Sequence, residues 1–279
     1  MRPRGGVAGA ALLAAPVFVG LAYAAAGALG LAGAGASGLT GRHLRTVLGS
    51  GAVWSGVWWT TATALAATLL AAALAAAVAV LFRGTAPADR AARLLAVVPL
   101  PVPHLVAASC GVLVLGQSGL LARAAFALGL VASPQEVPAL VSDPLGVGFV
   151  LTLAWKEFPF LALVAFSVLA TRGAELEEVA RTLGGGRWET FRRVTWPTLW
   201  RGLLPAAVAV FIFVAGSYEA AFVLAPSDPL PLPAATYERS VELDLARRGG
   251  AYVLALVGLA MGGVAVAAHE WARARGDDA

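Results

Sequence analysis

Lysine is almost missing from this chain: Lys156 stands alone against nineteen arginines, and it follows Trp155 inside an apolar run. A phosphate cradle of the form G-x-x-x-x-G-K-[ST] needs a lysine in a glycine-rich loop that opens a helix, so the chain cannot supply that ATP site itself. Cysteine is as scarce. Cys110 is the single one, which excludes an internal disulfide. The three histidines, His43, His104 and His269, form no metal-ligand spacing. No Ser/His/Asp or Cys/His arrangement and no acid pair in a soluble cleft can be nominated, so neither a metal site nor an intrinsic enzyme is expected. Charge is the largest deficit. Only 13% of residues are charged while 59% are hydrophobic, and the mean hydropathy is +0.79. Those values lie outside the range of soluble domains and define an integral membrane protein. The net charge of +4 is small and its arginines are scattered among loops, with no basic patch interleaved with aromatics; no nucleic-acid partner is implied.

What is present is a series of long apolar stretches. A helix crossing a hydrocarbon core of about 30 Å needs about 20 apolar residues. Six stretches qualify, at about 7–31, 57–82, 94–115, 145–171, 202–224 and 252–271. The first follows Arg2 and Arg4 and is longer than a signal-peptide core, so it is expected to be a retained signal-anchor helix. Gly33, Gly35 and Gly38 make a formal G-x-G-x-x-G, but a membrane span precedes it where a dinucleotide fold needs a strand. Trp54, Trp58 and Trp59 fit an interfacial belt. Pro99, Pro101 and Pro103 break the start of the third span. Residues 117–142 are placed outside as a short interfacial helix and a loop, and Asp143-Pro144 opens the fourth span as N-cap and first helical position. With both termini inside, thirteen arginines fall on the cytoplasmic side and six outside, as the positive-inside rule requires.

Candidate pathway residues are the ionisable groups within these spans, which are costly in lipid and mark interior positions. Lys156 and Glu157 are adjacent, so they point about 100° apart on a helix and cannot form a simple pair; one must reach another helix or an interface. Structural pairing and a translocation role both remain open. His104 is a pathway residue or a packed histidine. Glu219, beside Tyr218 at the outer end of the fifth span, could meet a cationic solute with a carboxylate and an aromatic face, or could be a solvated residue beside an interfacial tyrosine.

The longest polar interruption between apolar segments runs from Glu178 to Pro197 and carries Arg181, Arg187, Arg192 and Arg193. Around it Leu176, Val179, Ala180 and Leu183, then Trp188, Phe191, Val194 and Thr195, recur at helical spacing. They predict two short amphipathic helices joined at Gly184-Gly185-Gly186, with one apolar face resting on the bundle and the charged face free. By itself this is compatible with an ordinary cytoplasmic connection.

Glu178, Val179 and Ala180, followed by Gly184, Val194, Trp196 and Pro197, resemble the EAA loop of ABC-transporter permeases: Glu-Ala-Ala, three residues, Gly, nine residues, Ile, one residue, Leu-Pro. Val179, Val194 and Trp196 depart from the commonest letters. Residues 99–104, 143–146, 155–159 and 216–224 are similar to the permease group that moves polyamines, ferric iron, sulfate or thiosulfate. The resemblance implies an all-α integral membrane fold of six transmembrane helices with the type I importer (MetI-like) architecture. It implies one transmembrane domain over 1–279, with a core at about 50–265 and a coupling loop at 172–201. In that family the loop docks on a separate ATPase, so Glu178, Ala180, Gly184, Arg187, Val194 and Pro197 are the implied coupling residues. The implied partners are a pair of ATPase subunits that bind ATP and Mg, a second permease identical or different, an extracytoplasmic solute-binding protein, and the lipid of a bacterial plasma membrane. The competing class is a stand-alone secondary transporter using Lys156, Glu157 and Glu219 as an ion relay, which would show internal inverted repeats; none is evident.

Overall fold

The computed structural model describes residues 4–277; Arg2 lies outside it, as does the side chain of Arg172. The described residues form helices α1 (Arg4–Ala28), α2 (Arg42–Leu48), α3 (Gly51–Leu81), α4 (Pro87–Val97), α5 (His104–Leu115), α6 (Leu120–Ala127), α7 (Val147–Val168), α8 (Ala174–Thr182), α9 (Arg187–Thr190), α10 (Trp196–Ala215), α11 (Tyr218–Leu224), α12 (Leu232–Ser240) and α13 (Gly249–Asp277). Six segments are long and apolar enough to cross a membrane. All are helical because a chain in hydrocarbon must satisfy its backbone polar groups internally.

The core is α3 packed on α7 and α10. Ala64, Ala67, Ala71, Ala72, Ala75 and Ala79 make a buried stripe of small residues along α3, which lets α7 approach closely. Leu153 and Leu161 from α7, Leu199 and Leu203 from α10 and Leu224 from α11 fill the remaining space. α1 is peripheral and packs against α13, with Tyr23 edge-on to Tyr252 at 5.8 Å.

Several boundaries differ from those expected. The third span does not begin at residue 94: α4 is a separate amphipathic helix, the chain turns through the prolines, and α5 starts at His104. The fifth span starts at Trp196 and stops at Ala215, because Ser217 is extended (φ −74°, ψ 93°) and α11 begins afresh after it. The fourth starts at Val147 rather than at Pro144; Gly146 is its N-cap, with φ 71°. Asp143 still caps it, accepting the Val147 N–H at 3.0 Å. Trp59 leaves the interfacial belt for the core, where its Nε1 donates to the Pro144 carbonyl at 2.8 Å; Trp54 and Trp58 remain exposed.

The charged loops sort onto two ends. Arg83 and Arg93 share a cavity with Glu177, Glu178 and Arg181, whereas Arg42 lies with Arg239, Asp244 and Arg247 beyond the other ends of the spans.

Candidate functional site

The loop expected to couple is helical almost throughout. α7 passes through a π-helical turn at Leu169–Gly173 into α8, and a second π-helical turn at Phe191–Thr195 leads from α9 into α10. Such turns are rare and concentrate at functional sites. α8 ends in a Schellman cap: the Gly184 N–H bonds to the Arg181 carbonyl at 3.0 Å and the Gly185 N–H to the Ala180 carbonyl at 2.9 Å. Gly184 has φ +84°, the left-handed conformation that glycine enters without steric cost.

The orientation of α8 reverses the expected one. Its apolar residues do not rest on the bundle: Leu176 is 48% exposed, Val179 55% and the adjoining Leu183 82%, while Glu177 on the opposite face is 4% exposed. Glu178, Gly184, Arg187 and Trp188 are also exposed, and Ala180, Val194 and Pro197 are half-buried. The physical reason is a cluster of donors around Glu177. Its carboxylate accepts from the Arg83 guanidinium, from Thr195 Oγ1 and, at 3.2 Å, from Arg181. A buried carboxylate with three donors is held, whereas an apolar face has no such tether. Burial alone pushes the pKa of Glu177 up, but the hydrogen bonds from Thr195 and Arg83, the Arg83 charge and the Arg181 hydrogen bond outweigh it, so the group titrates below its ordinary value of 4.5. Sequence reasoning missed Glu177, Arg83 and Thr195. The Glu177–Arg181 spacing of four was visible, but nothing local connects either residue to Arg83.

Within the membrane the nominated ionisable groups are brought together in part. Lys156 and Glu157 are both buried on α7 and point to different partners. Lys156 Nζ donates to the Leu100 carbonyl at 3.4 Å, and Glu157 Oε1 accepts from His104 Nε2 at 2.7 Å. Leu100 lies in the proline break before α5, where carbonyls lack helical donors, and His104 is the first residue of α5. The adjacent pair therefore staples the broken strand of backbone to α7. The His104 ring also packs on Phe213, with centroids 4.7 Å apart. A cavity of about 630 Å³ lies beside it, lined by His104, Phe213, Gly216, Ser217 and Glu219. Tyr218 does not join Glu219 there as the sequence suggested: it packs on Tyr237 at 4.6 Å and Phe222 at 5.8 Å, because successive residues of α11 diverge.

An all-helical six-span membrane protein with an amphipathic helix presented outside the spans is the class these features define. Residues 71–275 match the family model described as binding-protein-dependent transport system inner membrane component, and the chain belongs to that family. It is similar to the molybdenum transport system permease protein ModB of Escherichia coli (strain K12), 28% identical over 127 residues, covering 44% of this chain and 55% of that one. Similar too is the sulfate transport system permease protein CysW of Synechocystis sp., 29% identical over 164 residues, covering 57% of this chain and 55% of the relative. A probable sulfate permease cysT of Chlorella vulgaris is 32% identical over 83 residues, covering 30% and 31%. The chain thus spans about half or less of the length of these curated relatives. Among solved structures, a bacterial alginate ABC transporter in complex with an alginate pentasaccharide-bound periplasmic protein superposes with a TM-score of 0.68 at 16% identity, covering 95% of this chain and 93% of that one. An amino acid ABC transporter gives a TM-score of 0.56 at 19% identity, covering 84% and 98%. These two carry the fold alone.

Proposed function

We propose that this chain is a permease subunit of an ATP-driven, binding-protein-dependent importer in a bacterial plasma membrane, and that α8 is the helix by which a separate ATPase drives it. The observation that carries this reading is the exposed apolar face of α8, Leu176, Val179 and Leu183, held outward by the tether at Glu177. In an aqueous loop such a face is unfavourable by about 25 cal/mol per Å² until a partner covers it. Glu178, Ala180, Gly184, Arg187, Val194 and Pro197 flank or support that face. The ATPase pair binds ATP and Mg; this chain forms half of the path with a second permease and receives its solute from an external receptor. The loops grouped with Glu177 face the cytoplasm, together with both termini.

The solute is a small polar one. Relatives named for sulfate and molybdenum transport favour an oxyanion over a polyamine or ferric iron. The test is extraction in mild detergent followed by identification of what co-purifies: an ATPase subunit and a solute receptor support the reading, and a chain that purifies alone under conditions that preserve other importers overturns it. Cysteine labelling checks the orientation. Position 187 should react only from inside and position 239 only from outside.

A further inference from the structure

Resting on that reading, we infer that Glu177 is a positioning residue: its carboxylate clamps α8 to the end of α3, so that motion imposed on α8 enters the bundle through three spans and not only the two it is continuous with. α8 is joined covalently to α7 and, through α9, to α10. Its link to α3 is purely lateral. Arg83, two residues past the end of α3, donates to Glu177, and Thr195 at the root of α10 donates to the same carboxylate oxygen. One buried acid therefore joins three elements at one point. Thr195 is 1% exposed, so its hydroxyl has no competing water, and Arg181 occupies the second oxygen from α8 itself.

What makes α3 worth moving is its length and its far end. At 31 residues it is roughly 46 Å long, longer than the hydrocarbon core. About a third of the way along from its start, Thr60 Oγ1 accepts the Leu232 N–H that opens α12 at 2.9 Å. α3 is also the helix on which α7 and α10 both pack. A displacement of α8 carried by the clamp thus reaches the opposite face of the membrane along one rigid rod. The two π-helical turns that flank the loop supply the places where its covalent connections can yield, which leaves the clamp as the stiff route.

The test uses the full chain in lipid nanodiscs, with Cys110→Ser and nitroxide labels at Leu65 on α3 and Val179 on α8, both exposed positions. Pulsed EPR reads the distance distribution between them. The wild type should give one narrow population. Glu177→Gln keeps the shape and removes the charge, and a hydrogen bond to a charged group shifts such an equilibrium by roughly 10- to 100-fold. A second population should therefore grow by about tenfold or more, and Arg83→Gln should do the same. Arg83→Lys, which restores the charge, should return most of the narrow population; a merely space-filling Arg83 would not distinguish lysine from glutamine. In the complex, the same variants should raise the ATP hydrolysed per solute moved. Unchanged distributions in both Glu177→Gln and Arg83→Gln would overturn the clamp even if an ATPase co-purifies. Loss of the importer reading would instead show as a wild-type chain with no ATPase, which leaves the distance measurement intact.

Discussion

Replacing the three glycines of the loop one at a time separates backbone conformation from crowding. Gly184 holds φ +84°, and a Cβ built on it meets nothing within 4 Å. Gly184→Ala therefore carries only the cost of a side chain in the left-handed region, about 1 kcal/mol. That corresponds to roughly a fivefold fall in the ratio of capped to uncapped α8 ends. Gly186 is extended, with φ −68° and ψ 160°, and has open space, so Gly186→Ala should leave the α8 cap unchanged. Gly185 differs again: its Cβ would lie 2.8 Å from the Ala180 carbonyl oxygen, the same atom its own N–H bonds to. The backbone must move there, and Gly185→Ala should exceed Gly184→Ala. Gly184→Asn should be milder than Gly184→Ala because asparagine tolerates the left-handed region. Hydrogen exchange at residues 180–185 in the lipid-embedded chain measures the cap directly, and binding of the ATPase subunit reports its consequence. Equal effects at positions 184 and 186 would refute the assignment of the cap, and with it the idea that the loop's shape depends on Gly184.

Glu177 titrates below 4.5, so the stability it contributes is fully present above that pH and is lost as the pH falls through its lower folded value. The EPR distance distribution should loosen only on that acid limb, and Glu177→Gln should abolish the dependence. Glu157→Ala removes the acceptor of the half-buried His104 ring, which keeps 22% of its side chain exposed; losing a hydrogen bond to a charged group there should cost about 1.5–3 kcal/mol. Thermal denaturation in detergent should show Glu157→Gln, which can still hydrogen-bond, to be milder. Glu219→Gln should alter uptake while leaving assembly with the ATPase unchanged; unaltered uptake at limiting solute would make Glu219 a bystander of the cavity it lines.

Composition and hydropathy settled by themselves that the chain spans a membrane six times as helices, because the demand for internal backbone hydrogen bonds in lipid leaves no alternative for runs this long. The turn at Gly184 was legible for a similarly local reason: helix ends and left-handed glycines are decided within a few residues. So was the divergence of Lys156 and Glu157, which follows from the helical repeat alone. Tertiary structure decided the rest. Trp59 looks like its interfacial neighbour Trp58 until the Pro144 carbonyl arrives from 85 residues away. The fifth span reads as one apolar run through Ala215 and Tyr218, yet it breaks at Gly216 and Ser217, where α11 turns to pack on α5. The amphipathic pattern of α8 located a helix with an apolar face but turned that face towards the bundle, the reverse of the structure. The orientation depended on Arg83 and Thr195, 94 residues before and 18 after Glu177, meeting around one carboxylate. A buried charge with several donors outweighs the small apolar area of a short helix, and only the folded arrangement of the spans assembles those donors.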